Sequence, residues 1–126
     1  MKIVILGGTG LIGKALQKSF SNEHQVHCFN REAFQSVEHL ASLVEGSDLV
    51  IQLSGSTISK RWSNKIVKEM WQSRVDTNQM LSEVVQSLST KPRVICASGI
   101  SFYAESSCNE PKTEEDPKGE GYLTNL

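Results

Sequence analysis

Gly7, Gly8, Gly10 and Gly13 fall within the seven residues Gly7-Gly8-Thr9-Gly10-Leu11-Ile12-Gly13, directly behind the apolar run Lys2–Leu6 (KIVIL). Glycines at 7, 10 and 13 form a GxxGxxG pattern, and a stretch with helical spacing follows at once. A diphosphate needs several backbone N–H groups at short range with no side chain in the way. A glycine turn between a strand and a helix start provides them, and the helix dipole favours the negative charge. The strand-turn-helix context is what gives a glycine pattern meaning. The competing reading is a tight turn with no ligand.

A second group of residues bears on which dinucleotide such a turn would take. The run Gln25–Phe29 reads as a second strand, and Asn30-Arg31 follow it. At this place an acid hydrogen-bonds the ribose 2′-hydroxyl of NAD, whereas an arginine accommodates the 2′-phosphate of NADP. The first acid is Glu32, one position further on. Arg31 is always charged and can bond a phosphate with two N–H groups. The pattern predicts NADP(H) ahead of NAD(H), the alternative for Arg31 being a solvated surface charge.

These residues need a frame. Lys2–Leu6 reads as a strand buried on both faces. Lys14–Phe20 places Ala15, Leu16 and Phe20 at helical spacing, and a weaker helix covers Val37–Val44. Gly46-Ser47-Asp48 makes a turn before a third strand, Leu49–Leu53, which breaks at Ser54-Gly55. The longest helical pattern runs from Asn64 to Leu88, with Ile66, Met70, Trp71, Leu81 and Val84 on one broad apolar face. Ser63 can cap its start, and Pro92 blocks its continuation. Arg93–Ala97 is a fourth strand. Alternating strands and helices predict an α/β fold, a Rossmann-type doubly wound parallel sheet of about four strands in the order 3-2-1-4. The tail from Glu105 to Gly121 has six acids against two lysines and reads as a solvated surface loop. No internal repeat and no linker interrupts residues 1–126, which are taken as one domain.

The composition narrows the partners. The 126 residues are 38% hydrophobic and 21% charged with a net charge of −1, which gives no electrostatic reason for nucleic acid or a membrane surface as partner. No apolar run reaches membrane-spanning length. Cys28, Cys96 and Cys108 show no paired spacing with one another or with His24, His27 or His39, so neither a disulfide scaffold nor a metal site is expected. A cytoplasmic protein is the default.

The opening KIVILGGTGLIG resembles the extended short-chain dehydrogenases/reductases. Leu53-Ser54-Gly55, Lys60-Arg61-Trp62, Ser73-Arg74-Val75-Asp76-Thr77 and Ala97-Ser98-Gly99-Ile100-Ser101-Phe102-Tyr103 resemble a narrower, atypical branch of them, the YfcH-like epimerase family. The likeness runs from Met1 to about Leu126. It implies that Gly7, Gly8, Thr9, Gly10, Leu11, Ile12 and Gly13 wrap the pyrophosphate and that Asn30 and Arg31 meet the adenosine phosphate. It further implies that Leu53, Ser54 and Gly55 lie along the ribose and diphosphate, and that Arg74 and Glu69 approach the cofactor from the long helix. Trp71 is expected in the core.

Catalysis departs from the wider family. Short-chain dehydrogenases pair a tyrosine with a lysine four residues on and add a serine or threonine that bonds the substrate oxygen. Ser98 is the hydroxyl nearest that role, and Tyr122 is the tyrosine nearest the other, but Leu126 stands where the lysine would be. Members of the family run to about twice this length or more, so the chain is expected to hold an incomplete NAD(P)-binding domain without the C-terminal substrate region. Three readings stand: the NADP(H)-binding part of an epimerase or reductase acting on an unidentified, sugar-like small molecule; a non-catalytic NADP(H)-responsive regulator; and a truncated inactive remnant. An uncovered outer edge on the fourth strand would pair with a second copy as a homodimer.

Overall fold

A computed structural model describes residues 1–104 and 109–126. Its frame is a parallel four-stranded sheet built from β1 (Lys2–Leu6), β2 (Gln25–Phe29), β3 (Leu49–Gln52) and β4 (Arg93–Cys96). The helices are α1 (Leu11–Phe20), α2 (Val37–Val44), α3 (Asn64–Trp71), α4 (Thr77–Ser87) and the short α5 (Tyr122–Asn125). Successive residues of β1 point to opposite faces, and both faces are buried. Ile3 and Ile5 pack with Ile51 beneath Leu16 and Phe20 of α1. Val4 and Leu6 pack with Val50 against Leu40 and Val44 of α2 and Leu81 and Val84 of α4. Each fully buried aliphatic side chain of this kind stabilises the fold by about 1.5–3 kcal/mol.

The α/β class and the parallel, two-faced winding match the sequence pattern. The strand order differs from 3-2-1-4 in one place, because β3 lies beside β1 rather than outside β2, giving β2-β1-β3-β4. Side-chain burial supplies the physical reason. Val50, Ile51 and Gln52 of β3 are buried, and an edge slot would leave them half solvated. β2 carries Gln25 and His27 among its five residues and tolerates the edge. Strand order therefore reverses between β1 and β3, and in open α/β sheets ligands bind at the carboxyl ends of the strands beside such a reversal.

The long helical pattern is confirmed and refined. α3 and α4 are joined without a loop by a π-helical turn over Gln72–Asp76, a feature that often marks functional positions in helices. Ser63 caps α3, its hydroxyl accepting from the Ile66 N–H at 3.4 Å. Trp71 does not join the core: it is 39% exposed, and Met70 is the buried residue of α3. Trp62 is also exposed, its ring nitrogen donating to the Ile58 carbonyl and its face meeting Tyr122 edge-on.

Residues 109–121 form a largely exposed loop, as expected, and the chain is tied down at its edges. Tyr103 bridges Lys118 in antiparallel fashion, Gly119 N–H donates to the Phe102 carbonyl, and the Thr124 hydroxyl donates to the Ser101 carbonyl. The part of that reading over residues 105–108, Cys108 included, lies outside the described residues. β4 pairs with β3 on one side, and its Val94 and Ile95 are exposed. No helix among the described residues is long and apolar enough to cross a membrane.

Candidate functional site

The parallel sheet brings four loop starts to one edge, those following Leu6, Phe29, Gln52 and Cys96. Between the first three lies a cavity of ≈ 640 Å³ lined by Gly7, Thr9, Gly10, Asn30, Arg31, Leu53, Ser54, Gly55 and Glu69, with Glu32, Phe34, Gln72, Ser73 and Thr77. That size suits a small-molecule ligand.

The glycines of the turn have different jobs. Gly7 adopts φ +94, a backbone conformation that side chains resist, and its N–H donates to the Phe29 carbonyl at 2.7 Å. Gly8 and Gly13 are packing glycines. A Cβ on Gly8 would stand 2.4 Å from that of Cys28, and one on Gly13 would stand 2.5 Å from the Gly7 carbonyl oxygen. Gly10 lines the cavity, and its would-be Cβ comes only within 3.3 Å of Gly7 oxygen. It caps α1 with no side-chain bond, so the first-turn N–H groups keep their capacity for an acceptor. Leu11 and Ile12 are exposed and do not line the cavity.

Asn30 holds the turn in place. Its Oδ1 accepts from the Thr9 N–H at 3.2 Å and from the Thr9 hydroxyl at 2.8 Å. The Asn30 N–H donates to Glu32 Oε1 at 2.8 Å. Backbone N–H groups of Glu32 itself and of Asn30 hold the Glu32 carboxyl below its ordinary range. The acid nearest the end of β2 is thus folded back on the main chain. Arg31 reaches across the cavity mouth to Glu69 Oε1 at 3.3 Å, and Lys60 reaches the same oxygen at 3.5 Å. An exposed pair of this kind is worth little in stability, and the Arg31 side chain is 82% exposed. Both cations thus meet on one carboxylate of the cavity wall.

A polar network ties the π-helical turn to β3. Gln52 is buried at the end of an apolar strand; its Nε2 donates to the Thr77 hydroxyl at 3.3 Å and its Oε1 accepts from the Ser54 N–H at 3.1 Å. Thr77 donates to the carbonyls of Ser73 and Arg74, and the Ser73 hydroxyl accepts from the Ser56 N–H at 2.9 Å. Arg74, at the centre of this braced turn, does not line the first cavity. Its guanidinium lies against Gly55, where a Cβ would meet Cζ at 3.1 Å, and it lines a second cavity of ≈ 520 Å³.

Ser98 lines that second cavity, together with Gly99, Ser101, Asn78, Leu123 and Thr124. Leu53, Ser54 and Gly55 border both cavities, and the Ser54 hydroxyl is buried without a partner among the described residues. Tyr122 lines neither; its hydroxyl donates to the Val67 carbonyl at 2.7 Å. The two residues named for catalysis are therefore not brought into one cavity. Lys60, Phe34, Ser73, Thr77 and Gln52 were not singled out as site residues from the sequence. Two signals could have found some of them: a glutamine closing an apolar strand, and Ser73 and Thr77 four apart in the long helical pattern.

Comparison with known proteins gives the chain its family. Residues 3–125 match the model of the NAD dependent epimerase/dehydratase family. Epimerase family protein SSP1921 of Staphylococcus saprophyticus is 30% identical over 113 residues, covering 79% of this chain and 38% of that protein. Epimerase family protein SDR39U1 of Mus musculus is 29% identical over 136 residues, covering 100% of this chain and 46% of that protein. The chain spans less than half the length of these curated relatives. The crystal structure of human epimerase family protein SDR39U1 (isoform 2) with NADPH shares the fold, with a TM-score of 0.82 and 24% identity over 99% of this chain and 45% of that one. The nucleoside-diphosphate sugar epimerase of Corynebacterium glutamicum superposes with a TM-score of 0.78 and 25% identity over 99% of this chain and 28% of that one. The chain belongs to the NAD dependent epimerase/dehydratase family.

Proposed function

We propose that the first cavity binds NADP(H) in preference to NAD(H), with the pyrophosphate on the glycine turn and the 2′-phosphate between Arg31 and Lys60. The observation that carries this reading is the rim of the cavity. Two cations meet there on one carboxylate, while Glu32, the acid that would favour a free 2′-hydroxyl, is engaged by backbone N–H groups. The NADPH named with the human relative's structure supports the same reading. The residues fit the cofactor: Gly10 leaves the turn open where a Cβ would intrude, and the first-turn N–H groups of α1 carry no side-chain cap.

A bound nicotinamide dinucleotide supplies hydride transfer. The chain's own residues bind and orient: Asn30 fixes Thr9 and so the turn, Gln52 fixes Ser54, and Ser98 offers a hydroxyl to a carbonyl or alcohol oxygen in the second cavity. In the longer family members this would serve an epimerase or reductase acting on a small, sugar-like molecule, with the rest of the substrate region supplied outside residues 1–126. The second reading, an NADP(H)-responsive binding protein, is favoured by Tyr122, whose hydroxyl is engaged by Val67 and which has no lysine four residues on. A cytoplasmic setting fits Cys28 and Cys96, both free thiols. The open side of β4 would pair with a second copy of the chain.

Calorimetric titration with NADPH and NADH tests the proposal. NADPH is expected to bind at least about tenfold more tightly, the value of one charge-assisted contact. Equal affinities would sink the preference, and no binding of either would sink the site. Turnover with carbonyl substrates separates the enzyme from the sensor.

A further inference from the structure

We infer that the second cavity is an oxyanion-binding substrate site, and that Arg74 is the residue that recognises a carboxylate or phosphate group on the substrate. The inference rests on the first cavity being the dinucleotide site, and it assigns Arg74 to the substrate and not to the cofactor.

Three observations converge. Arg74 lines the second cavity and is absent from the walls of the first, with Leu53–Gly55 between them. Its Nη1 is buried without a hydrogen-bond partner, and it makes no ion pair, among the described residues. No Asp or Glu side chain lines the cavity; its walls include the amides and hydroxyls of Gln52, Asn78, Ser54, Ser98, Ser101 and Thr124, and the last residue, Leu126, also lines it. A guanidinium whose buried N–H groups lack an acceptor loses hydrogen bonds it had in water. An oxyanion in the cavity would offer the guanidinium two acceptors in a bidentate geometry that no hydroxyl can match.

The backbone is arranged to keep Arg74 there. It sits at the centre of the π-helical turn, the part of the long helix where side-chain direction departs from regular α spacing. Thr77 and Ser73 fasten that turn to Gln52 and Ser56. Gly55 leaves room for the guanidinium, since a Cβ would stand 3.2 Å from Nη2. The charge lines the same cavity as Ser98, so that an oxygen reacting at Ser98 and an anionic group elsewhere on the same small molecule could be bound together.

The test is an NMR titration of the whole chain, following the Arg74 Nε–Hε signal, with malonate and inorganic phosphate as probes and with and without saturating NADPH. Saturable movement of that signal is expected, together with the Ser54 and Ser98 amides. Preference for malonate or phosphate says which oxyanion the site favours. Arg74→Gln should weaken probe binding at least about tenfold and leave NADPH affinity within about twofold. Arg74→Lys, which keeps the charge without the fork, should fall between the two. An unmoved Arg74 signal in the unmodified chain overturns the inference, which keeps it testable even if the variants fail to fold. Probe binding that survives in a folded Arg74→Gln also overturns it. An equal loss of NADPH affinity does so too, by returning Arg74 to the cofactor. Failure of NADPH to bind the unmodified chain counts against the first cavity instead, and the probe titration without NADPH still reads the second.

Discussion

The two cavities share the wall Leu53–Gly55 and are made in different ways. The first is built largely around main chain: a turn held by Asn30, a helix start without a side-chain cap, and Gly7, Gly8 and Gly13, which leave no room for a Cβ. The second is built from side chains and loops, with Arg74 braced by a π-helical turn on one side and the tail folded over Ile100–Phe102 on the other. A main-chain site imposes residue types at fixed spacing, because only glycine fits where a Cβ would strike backbone. A side-chain site allows many sequences, since its geometry comes from elements distant in the chain. This contrast decides how each responds to substitution.

The sharpest separation lies within the turn itself. Gly13→Val should disrupt folding, because its Cβ would stand 2.5 Å from the Gly7 oxygen and 2.7 Å from the Gly8 Cα, both backbone atoms. We expect a loss of about 3 kcal/mol in urea unfolding. Gly10→Val should stay within about 1 kcal/mol of the parent in stability and yet lose NADPH binding. A folded Gly10→Val chain with normal NADPH affinity would show that the phosphate is held elsewhere.

Next in size is the rim. Arg31→Asp should erase or reverse the NADPH preference, a change of about 1.5–3 kcal/mol for a lost charge-assisted contact. The same substitution should leave oxyanion binding at Arg74 unaltered. Parallel titrations of both ligands check whether the two cavities act independently.

The sheet edges sharpen the contrast further. Val94 and Ile95 of β4 are 39% and 55% exposed beside an open line of backbone groups. Sedimentation analysis of the chain at high concentration should show dimers, and Ile95→Lys should return them to monomers. A clean monomer in the parent would remove β4 as a pairing edge.

The smallest effect is one of pH. Glu32 titrates below its ordinary value of 4.5 because its own backbone N–H and that of Asn30 bond its charged form. Its contribution to stability is therefore complete above that ordinary value and is lost as pH falls through the lower folded-state value. Glu38 and Asp116 act in the same direction through backbone N–H bonds. The thermal midpoint should drop between about pH 5 and pH 3, slightly less in Glu32→Gln than in the parent. Identical acid profiles would mean that Glu32 does not fasten the rim.

The legibility of the two sites in the sequence follows from their construction. The glycine turn could be read because Lys2–Leu6, the glycines and Lys14–Phe20 are consecutive, so local pattern and tertiary placement coincide. The place of Arg31 on the first cavity could be read because it follows a strand whose end faces the turn. The position of β3 could not, since apolar runs do not state which neighbour they take; the buried Gln52 and the polar β2 decide it only once the sheet is assembled. Arg74 was visible as a motif residue, but its direction depends on a π-helical turn that departs from helical periodicity. Tyr122 was selected by residue type, and its bond to Val67, 55 positions earlier, is a tertiary contact without a local signal.

The most direct test of the central claim, a main-chain phosphate site beside a 2′-phosphate rim, is to titrate isotope-labelled chain with NADPH and follow every backbone amide. The account predicts the largest shifts at Thr9–Gly13, at Asn30 and Arg31, and at Leu53–Gly55, with the Arg31 shift absent when NADH replaces NADPH. Shifts confined to β4 and the tail, with the glycine turn unmoved, would contradict it.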